Sequence, residues 1–421
     1  MNYIFKSIKG MHDYLPQDIL IWNKIENILK KILYSYSYHE IRFPIVEKTI
    51  LFQKSIGNTT DIIGKEMYSF YDKKGINITL RPEGTTSCAR FVIQNKLLYH
   101  QKQKLWYYGP MFRYERPQKG RYRQFYQFGI ETFGFSDPEI ELELILLINK
   151  FFNQLKISKF ITLEINSIGS IAERNKYKIK LKKFLKKYIN VLDKNYLRKL
   201  DQNALRILDS KDQNIQNILL KAPRLIDFIN LKSRLCFNKL CNLMDHFNIP
   251  YVINYNLIRG LDYYNDIVFE WKTNYLGSKN TICAGGRYNK LINILKGPNI
   301  PAAGLAIGMD RLLLLIQSLS IFSKNIIKYD ILIFFYEKTL KYNAIFLSEH
   351  IRNIIPTLKV LLEFQPIKLK KIFKNINKYY CKIILFVKDI NIINVYDIKN
   401  KIHEDIKKKN IINKICNILQ L

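Results

Sequence analysis

The hydrophobic pattern of this chain changes at a polar stretch, Ser320 to Lys328, which divides the sequence into two parts. Beyond this stretch, short apolar segments alternate with amphipathic ones, which is typical of a separate, mostly parallel α/β domain. The strands predicted there cover 331–335, 360–364 and 383–387, and the helices cover 343–354 and 369–380. Because 421 residues exceed what one hydrophobic core usually organises, we predict a first domain over 1–325 and an α/β domain over 326–421.

The first part predicts an α+β domain with an antiparallel sheet, because strands precede a long helix in chain order. Apolar residues at three- and four-residue spacing after Pro16 predict an amphipathic helix, and a second helix covers 138–155. A lysine-rich, mostly helical stretch over about 171–250 separates two groups of strands, and we interpret it as an insertion. The predicted strands cover 78–80, 105–111, 125–132, 161–166, 266–271 and 304–308.

The formal charge of +33 is far from neutral. A strongly basic surface favours a polyanionic partner such as nucleic acid. Lysine, isoleucine and asparagine are also abundant where no site is evident, and mutational drift toward lysine explains the charge equally well. The charge alone therefore does not identify a partner.

The six cysteines lack the paired spacing of zinc sites and disulfide frameworks, so we expect no protein-bound structural metal. Unpaired cysteines suit a reducing compartment. Apolar runs stay well short of the ~20 residues that cross a bilayer, and residues 1–10 lack the apolar core of a signal peptide. We predict a soluble, cytoplasmic protein without a membrane partner.

The densest group of chemically capable residues comprises Arg81-Pro82-Glu83-Gly84-Thr85-Thr86 and Phe112-Arg113-Tyr114-Glu115. Arg113 lies at the end of a predicted strand, where a guanidinium needs partners for its five donors. An ordinary salt bridge to a nearby carboxylate would satisfy it. A second explanation for Arg113 involves two further arginines. Arg259 precedes Gly260, and Arg311 stands at a predicted helix start. Together, the three arginines could converge on a triphosphate.

Three segments resemble the motifs of class II aminoacyl-tRNA synthetases: Ile41-Arg42-Phe43-Pro44 with Glu47, Phe112-Arg113-Tyr114-Glu115, and Gly308-Met309-Asp310-Arg311. Two further segments resemble the signature blocks of histidyl-tRNA synthetases, Arg259-Gly260-Leu261-Asp262-Tyr263-Tyr264 and Cys283-Ala284-Gly285-Gly286-Arg287-Tyr288. The resemblance runs from Gly10 to Leu319 and implies a class II synthetase-like antiparallel sheet flanked by helices. The resemblance is weaker in the last domain. The family usually has a glycine-rich segment there, whereas residues 364–368 of this chain contain no glycine.

The resemblance implies a histidine–tRNA ligase, which converts histidine and ATP to histidyl-adenylate and pyrophosphate and then loads the 3′ end of tRNA(His). In the implied site, Glu83, Thr85 and Gln127 hold the α-amino end of histidine. Glu131 and Tyr264 hold the imidazole, whose two nitrogens suit a carboxylate and a phenol. Both tyrosines could equally be core aromatics. The implied histidine-binding residues are Glu83, Thr85, Gln127, Glu131, Tyr263 and Tyr264.

For ATP, the resemblance assigns catalytic contacts at the α-phosphate to Arg113 and Arg259, the latter standing where other class II enzymes use a metal. Arg311 would contact the far end of ATP, Phe125 would stack on adenine, and Glu115 belongs to the same site. ATP is expected as its Mg2+ complex. No cysteine is needed as a nucleophile.

A basic loop between two predicted strands is expected to contact the acceptor end of the tRNA, although a solvated hairpin is the simpler alternative. The last domain is expected to have an anticodon-binding-like role. The insertion over about 171–250 is expected to have no editing activity. A homodimer with the first motif at its interface is also implied. The loop residues implied in acceptor contact are Arg116, Gln118, Lys119, Arg121 and Arg123.

Two other classes of protein remain open from the sequence. A catalytically altered paralogue that regulates histidine biosynthesis would share the fold without needing the ATP and tRNA residues. A catalytically dead RNA-binding protein would have no reason to keep Glu131 near Gln127.

Overall fold

The computed structural model describes residues 5–57, 60–99, 101–188, 196–197, 200, 204–208, 210, 212–277, 281–322, 329–374 and 379–421. The chain divides into two compact units, Met1–Ile321 and Phe322–Leu421. Within the described ranges, every helix is too short or too polar to cross a membrane.

The first unit contains an eight-stranded sheet and a three-stranded sheet. Its strands are β1 (His39–Glu40), β2 (Val46–Lys48), β3 (Tyr68–Tyr71), β4 (Asn77–Leu80), β5 (Gln103–Phe112), β6 (Gln124–Phe133), β7 (Thr162–Ser167), β8 (Val252–Ile253), β9 (Asn265–Lys272), β10 (Thr281–Arg287) and β11 (Ala302–Gly308). Its helices are Pro16–Ser35, Thr49–Ile56, Thr85–Gln94, Glu139–Gln154, Ile171–Leu185, Gln213–Leu219, Leu231–His246, Leu291–Ile294 and Met309–Ser318.

The large sheet is antiparallel except at its edges. Its strand order is β1-β5-β6-β11-β10-β9-β7-β8. The edge pairs β1–β5 and β7–β8 are parallel, and the five pairs between them are antiparallel. The predicted α+β fold class, an antiparallel sheet flanked by helices, is confirmed.

The described residues between β7 and β8 are mostly helical and pack on the same core as the strands. Tyr177, Leu181 and Ile215 from this stretch belong to one apolar cluster with Tyr263 and Tyr264. Because β7 pairs with both β8 and β9, the helical stretch leaves and rejoins the sheet at the same edge.

The helix Thr85–Gln94 was not predicted. Two β-branched residues begin it, and such residues have low helix propensity. Tertiary contacts override that preference, since Thr86, Ala89 and Val92 are fully buried. The Glu83 carboxylate accepts hydrogen bonds from the backbone N–H groups of Thr85 at 2.7 Å and Thr86 at 2.9 Å. A carboxylate at a helix N-terminus also interacts favourably with the helix dipole.

The second unit is a five-stranded mixed sheet in the order β13-β12-β14-β15-β16. Its strands are β12 (Tyr329–Phe335), β13 (Val360–Leu362), β14 (Cys381–Val387), β15 (Ile392–Asp397) and β16 (Ile402–Lys407), and its helices are Lys341–Ile354, Leu369–Lys374 and Ile411–Leu419. β12 pairs in parallel with β13 and β14, whereas β14–β15 and β15–β16 are antiparallel.

The expectation of a mostly parallel sheet was therefore wrong for the last two strands. β16 has no fully buried residue, so it lacks the apolar alternation that predicts a strand. The helix predicted over 369–380 is described only as Leu369–Lys374, and residues 375–378 lie outside the described part of the chain.

A buried ion pair joins the helix Glu139–Gln154 to the end of β10. Arg287 donates two hydrogen bonds of 2.6 Å to the two carboxylate oxygens of Glu141 and two of 3.1 Å to the carbonyls of Phe135 and Asp137. The side chains of Arg287 and Glu141 are 3% and 0% exposed. Each charge therefore depends on the other for compensation.

Arg287→Met should lower the free energy of unfolding by about 3–5 kcal/mol, because Glu141 would be left buried without its cation. Urea denaturation followed by circular dichroism would measure the change. Lys239→Met is the matched control, since it removes an exposed ion pair with Glu139, which lies on the same helix as Glu141, and it should leave the free energy of unfolding nearly unchanged. Equal losses in the two variants would contradict the stabilising role of the buried pair.

Candidate active site

A cavity of about 280 Å³ lies in the first unit. Its walls come from β6, β10 and β11, the start of the helix Met309–Ser318, and the loops after β5 and before β9. The predicted site residues that line it are Glu83, Thr85, Arg113, Glu115, Arg121, Phe125, Gln127, Arg259, Tyr263, Tyr264 and Arg311. The structure thus brings together residues that are separated by more than two hundred positions in the sequence.

The three arginines singled out from the sequence meet in this cavity, and protein groups hold each one in place. Arg113 donates from Nε to the carbonyl of Pro82 at 2.9 Å. Arg311 donates to the carbonyls of Gly120 at 2.8 Å and Thr281 at 2.9 Å. Arg259 forms an ion pair with Glu270. Carbonyl acceptors orient a guanidinium without neutralising it, so Arg113 and Arg311 keep their charge available for a ligand.

The electrostatics of the cavity favour an anionic ligand. Burial lowers the pKa of Arg311 to about 10, and the guanidiniums of Arg113 and Arg121 act in the same direction. Burial also lowers the pKa of Arg113, and the charge of Arg259 adds to that effect. Because a bound anion would relieve both desolvation and mutual repulsion, the arrangement suits a phosphate-bearing ligand.

Other residues that line the cavity have a different chemistry: the carboxylate of Glu83, the hydroxyl of Thr85 and the amide of Gln127. Both oxygens of Glu83 accept backbone N–H groups, which fixes the orientation of the carboxylate. The side-chain oxygen of Gln127 is buried and has no hydrogen-bond partner among the described residues. A buried acceptor without a partner is costly, so a ligand with several N–H donors, such as an ammonium group, matches these residues.

Glu131 does not line the cavity but lies next to it, behind Thr85. Its carboxylate accepts hydrogen bonds from Thr85 Oγ1 at 2.7 Å, from Tyr107 Oη at 3.0 Å and from Tyr288 Oη. Burial raises the pKa of Glu131 to about 8, although these hydroxyls act in the opposite direction. The surface that faces the cavity here is formed by Thr85, Tyr263 and Tyr264.

Tyr107 and Tyr288 were not selected from the sequence as site residues. Tyr288 ends one of the signature blocks, and that position could have identified it as a site residue. Tyr107 had no comparable signal, because its partners Thr85 and Glu131 meet it only in the folded chain.

The basic loop divides into two groups. Arg116, Gln118 and Lys119 are exposed. Arg121 instead forms an ion pair with Glu115 at the cavity wall. The guanidinium of Arg123 lies 3.8 Å from the ring centroid of Tyr114 and donates to the carbonyls of Glu115 at 3.3 Å and Lys9 at 3.2 Å. The fold therefore already uses Arg121 and Arg123 for contacts within the protein.

The third motif begins the helix Met309–Ser318. The Asp310 carboxylate accepts hydrogen bonds from the hydroxyl of Tyr14 and from the backbone N–H of Tyr126 at 2.7 Å. It thereby joins β6 to the helix that carries Arg311.

The cysteines take no part in this cluster of charged residues. All six are free thiols, and Cys88 and Cys283 are buried. Burial raises the pKa of both thiols well above the ordinary value, which disfavours the nucleophilic thiolate. Among the described residues, no group of three or more His, Cys, Asp or Glu side chains is arranged to hold a metal ion.

Comparisons with known proteins identify the family of the chain. Residues 10–312 match the family model for histidyl-tRNA synthetase. The histidine–tRNA ligase of Buchnera aphidicola subsp. Schizaphis graminum (strain Sg) is 54% identical over 375 residues, which cover 89% of this chain and 88% of that protein. The histidine–tRNA ligase of Buchnera aphidicola subsp. Baizongia pistaciae (strain Bp) is 51% identical over 421 residues, 100% of this chain and 99% of that protein.

The fold agrees with this match. The crystal structure of apo S. aureus histidyl-tRNA synthetase is similar with a TM-score of 0.78 and 31% sequence identity, and the match covers 98% of this chain and 100% of that chain. The fold and the family match place the chain among the aminoacyl-tRNA synthetases, which are ligases. Within that class, the chain belongs to the histidyl-tRNA synthetase family.

Glu131→Gln should change how stability depends on pH. The folded protein holds the Glu131 proton with a pKa of about 8, above the ordinary 4.5, so wild-type stability falls as pH rises between these values. The variant lacks this titration. Its free energy of unfolding relative to wild type should therefore rise by up to roughly 1.4 kcal/mol per pH unit. Urea denaturation across this pH range would measure it, and a pH-independent difference would contradict the raised pKa.

Proposed function

We propose that the protein is a histidine–tRNA ligase, which forms histidyl-adenylate and pyrophosphate from histidine and ATP and then transfers histidine to the 3′ end of tRNA(His). The observation that carries this proposal is the cavity itself. Its lining combines several guanidiniums with the Glu83 carboxylate, the Thr85 hydroxyl and the Gln127 amide, which can accept an ammonium group. Family membership supplies the identity of the amino acid.

ATP is assigned to the arginines of this lining. Arg113 and Arg259 are the proposed catalytic residues at the α-phosphate, and Arg311 is assigned to the far end of the triphosphate. Phe125, whose ring centroid lies 5.3 Å from the guanidinium carbon of Arg113, is assigned to adenine, and Glu115 to the same site. Mg2+ enters with ATP as part of the substrate complex, and the protein needs no structural metal of its own.

Histidine is assigned to a second group of residues. Glu83, Thr85 and Gln127 are assigned to the α-ammonium group. The imidazole is assigned to Tyr264, with Tyr263 beside it, and to Glu131, which would have to exchange its contact with Thr85 for one with the ring. A pocket built to hydrogen-bond a ring nitrogen rejects apolar amino acids, because its buried polar groups would lose their partners. This selectivity makes a separate editing site unnecessary.

The chemistry follows from bringing the two ligands together. The carboxylate of histidine attacks the α-phosphorus, the bond to the bridging oxygen breaks, and pyrophosphate leaves. Charge increases on the phosphoryl oxygens as the bond forms, and fixed guanidiniums stabilise that charge without reorganising. Glu270 holds Arg259 for this task. In the second step, the terminal hydroxyl of the tRNA attacks the carbonyl carbon and AMP leaves, so no covalent enzyme intermediate is required.

A second cavity, of about 710 Å³, supports an approach route for the tRNA end. It shares Arg113, Arg259 and Arg311 with the first cavity and extends to the helix Gln213–Leu219. Amide side chains line that extension, and amides can bond to base edges and phosphates alike. The additional residues with such side chains are Gln213, Gln216, Asn217, Asn254 and Asn256.

The exposed residues Arg116, Gln118 and Lys119 are proposed to contact the acceptor end from outside the cavity. Arg121 and Arg123 would reach the tRNA only by giving up their contacts within the protein. The unit from residue 326 onward is proposed as the anticodon-binding-like domain, and the cytoplasm as the compartment, where tRNA is charged.

We propose a homodimer because the three-stranded sheet in the first unit exposes apolar side chains. β2 and β3 follow the first motif and carry three of them, and the other three lie in segments next to strands of this sheet. Large exposed apolar patches mark interaction surfaces, and a two-fold pair is the commonest arrangement of identical subunits. The exposed residues are Ile45, Val46, Ile50, Phe70, Tyr71 and Ile76.

ATP–pyrophosphate exchange with each amino acid in turn tests the proposed activity. The wild-type protein should exchange with histidine alone. Arg259→Met should reduce that exchange by at least about a hundredfold, the effect of losing one transition-state contact, while the circular dichroism spectrum stays unchanged. Lys104→Met is the matched control, because it removes a comparably exposed ion pair, with Glu143, outside the cavity.

The opposite results would decide between the alternatives. Exchange that survives in Arg259→Met would exclude its catalytic role. A folded wild-type protein without histidine-dependent exchange would instead favour the regulatory paralogue.

Phe70→Asp should weaken the proposed dimer, because a charge would be buried against apolar groups at the interface. Sedimentation velocity of the wild type should show two chains per particle, and that of the variant should show monomer at the same concentration. Tyr336→Asp, at a similarly exposed aromatic in the second unit, should leave the dimer intact. A monomeric wild type would exclude the interface.

A further inference from the structure

Residues 9–14, here called the strap, lie against the basic loop at residues 116–123. The carbonyl of Gly10 accepts the backbone N–H of Arg123 at 2.7 Å, and the carbonyl of Lys9 accepts from its guanidinium at 3.2 Å. Gly10 is buried and has a φ of +87°, which glycine adopts without strain. A Cβ atom there would lie 3.0 Å from Cγ of Arg123. The lack of a side chain therefore lets the strap approach the loop this closely.

His12 extends the contact between the strap and the loop. Its ring centroid lies 4.2 Å from that of Tyr122, at an interplanar angle of 51°. His12 is exposed, whereas Tyr122 lines the cavity of the candidate active site. The strap thus packs against a residue of the cavity wall from the solvent side.

Tyr14 connects the strap to the helix Met309–Ser318. Its hydroxyl donates to one carboxylate oxygen of Asp310, and the backbone N–H of Tyr126 donates to the other at 2.7 Å. The ring of Tyr14 lies edge-on to that of Tyr126, with 6.1 Å between their centroids. Two donors on different oxygens fix the Asp310 carboxylate, and Arg311 is the next residue of the same helical turn.

Arg311 is the point at which the loop and the helix meet. Its Nε donates to the carbonyl of Gly120 at 2.8 Å, and a second guanidinium nitrogen donates to the carbonyl of Thr281 at 2.9 Å. Gly120 belongs to the basic loop, so the orientation of Arg311 depends on where the loop lies. The strap holds the loop on one side and the start of the helix on the other.

We propose that His12 and Tyr14 are positioning residues for ATP, which hold the basic loop against the helix Met309–Ser318 so that Arg311 meets the triphosphate. This inference rests on the proposed function, which assigns Arg311 to the far end of ATP. The strap residues line neither of the two cavities, so they act through their partners. A guanidinium that is already oriented loses less entropy when the ligand binds.

The contacts of the strap predict an effect on ATP rather than on histidine. The residues assigned to the amino acid are held by other groups: Glu83 accepts from backbone N–H groups of the helix that follows it, and Thr85 donates to Glu131. Release of the loop should therefore disturb Arg311 and leave the histidine contacts in place.

Tyr14→Phe and His12→Ala test the proposal in ATP–pyrophosphate exchange. Tyr14→Phe should raise the KM for ATP by about tenfold, as for a lost hydrogen bond to a charged group. His12→Ala should raise it by about threefold, as for a lost contact between aromatic rings. In both variants, the KM for histidine and the thermal midpoint should stay close to the wild-type values. His12→Phe keeps a ring against Tyr122 and should restore the wild-type KM for ATP.

Two matched controls remove similar groups outside the cavity. Tyr38→Phe removes a buried hydroxyl that donates to Glu143 at 2.9 Å. His246→Ala removes an exposed histidine ring whose centroid lies 5.5 Å from that of Phe247. Both controls should keep the wild-type KM for ATP.

Limited digestion with trypsin measures the position of the loop without relying on activity. Lys119 is exposed in the loop, and cleavage after it requires the loop to open. Mass spectrometry should detect faster cleavage there in His12→Ala than in the wild type and in His246→Ala. Equal cleavage rates in the three proteins would overturn the role of the strap, whether or not the protein is active.

The exchange results separate this inference from the proposed function. No histidine-dependent exchange by the wild type would overturn the proposed function itself. An active wild type whose Tyr14→Phe and His12→Ala variants keep the KM for ATP would overturn the positioning role. A parallel rise in the KM values for ATP and histidine with a lower thermal midpoint would also overturn it, since that result shows a purely structural role.

Discussion

The register of the antiparallel pairs around β6 determines which strand residues face the site. Gln127, Gly129 and Glu131 alternate along β6, so their side positions share one face of the sheet. β11 places Gly308, Ala306 and Gly304 directly opposite them. This row of small residues leaves space above the sheet for the Glu131 carboxylate and for a ligand. A shift of register by one residue would turn the entire row to the other face.

The charged and polar groups that line the cavity have two opposite electrostatic requirements. Arg113 and Arg311 carry buried positive charge that backbone carbonyls orient but do not neutralise. A phosphate-bearing ligand would supply the negative charge that balances it. Glu83 and Gln127 offer acceptors for a group with N–H donors. Under the proposed function, one amino acid and one nucleoside triphosphate would meet both requirements, and holding their reacting groups together would accelerate the reaction.

Sequence patterns predicted many elements of the first unit but missed others, including β10 in the middle of the large sheet. The helix Thr85–Gln94 was missed because its threonines have low helix propensity, whereas burial and the Glu83 cap stabilise it. In the second unit, β16 was missed because no residue of that edge strand is fully buried. Its position comes from backbone pairing with β15, and backbone pairing leaves no trace in the apolar pattern.

The sequence by itself predicted the antiparallel fold class from its periodicity, and its motifs, through their resemblance to a known family, predicted the family and eleven of the residues that line the cavity. These are encoded locally, in motifs such as Phe112-Arg113-Tyr114-Glu115, because helix and strand periods and charged residues beside glycines are properties of short segments. Only the tertiary structure decided which of these residues contact one another. It set Glu131 behind Thr85 with Tyr107 and Tyr288 as partners, and it paired Arg121 with Glu115. Such contacts join residues that are far apart in the chain, and they depend on sheet register and on the space left by glycines.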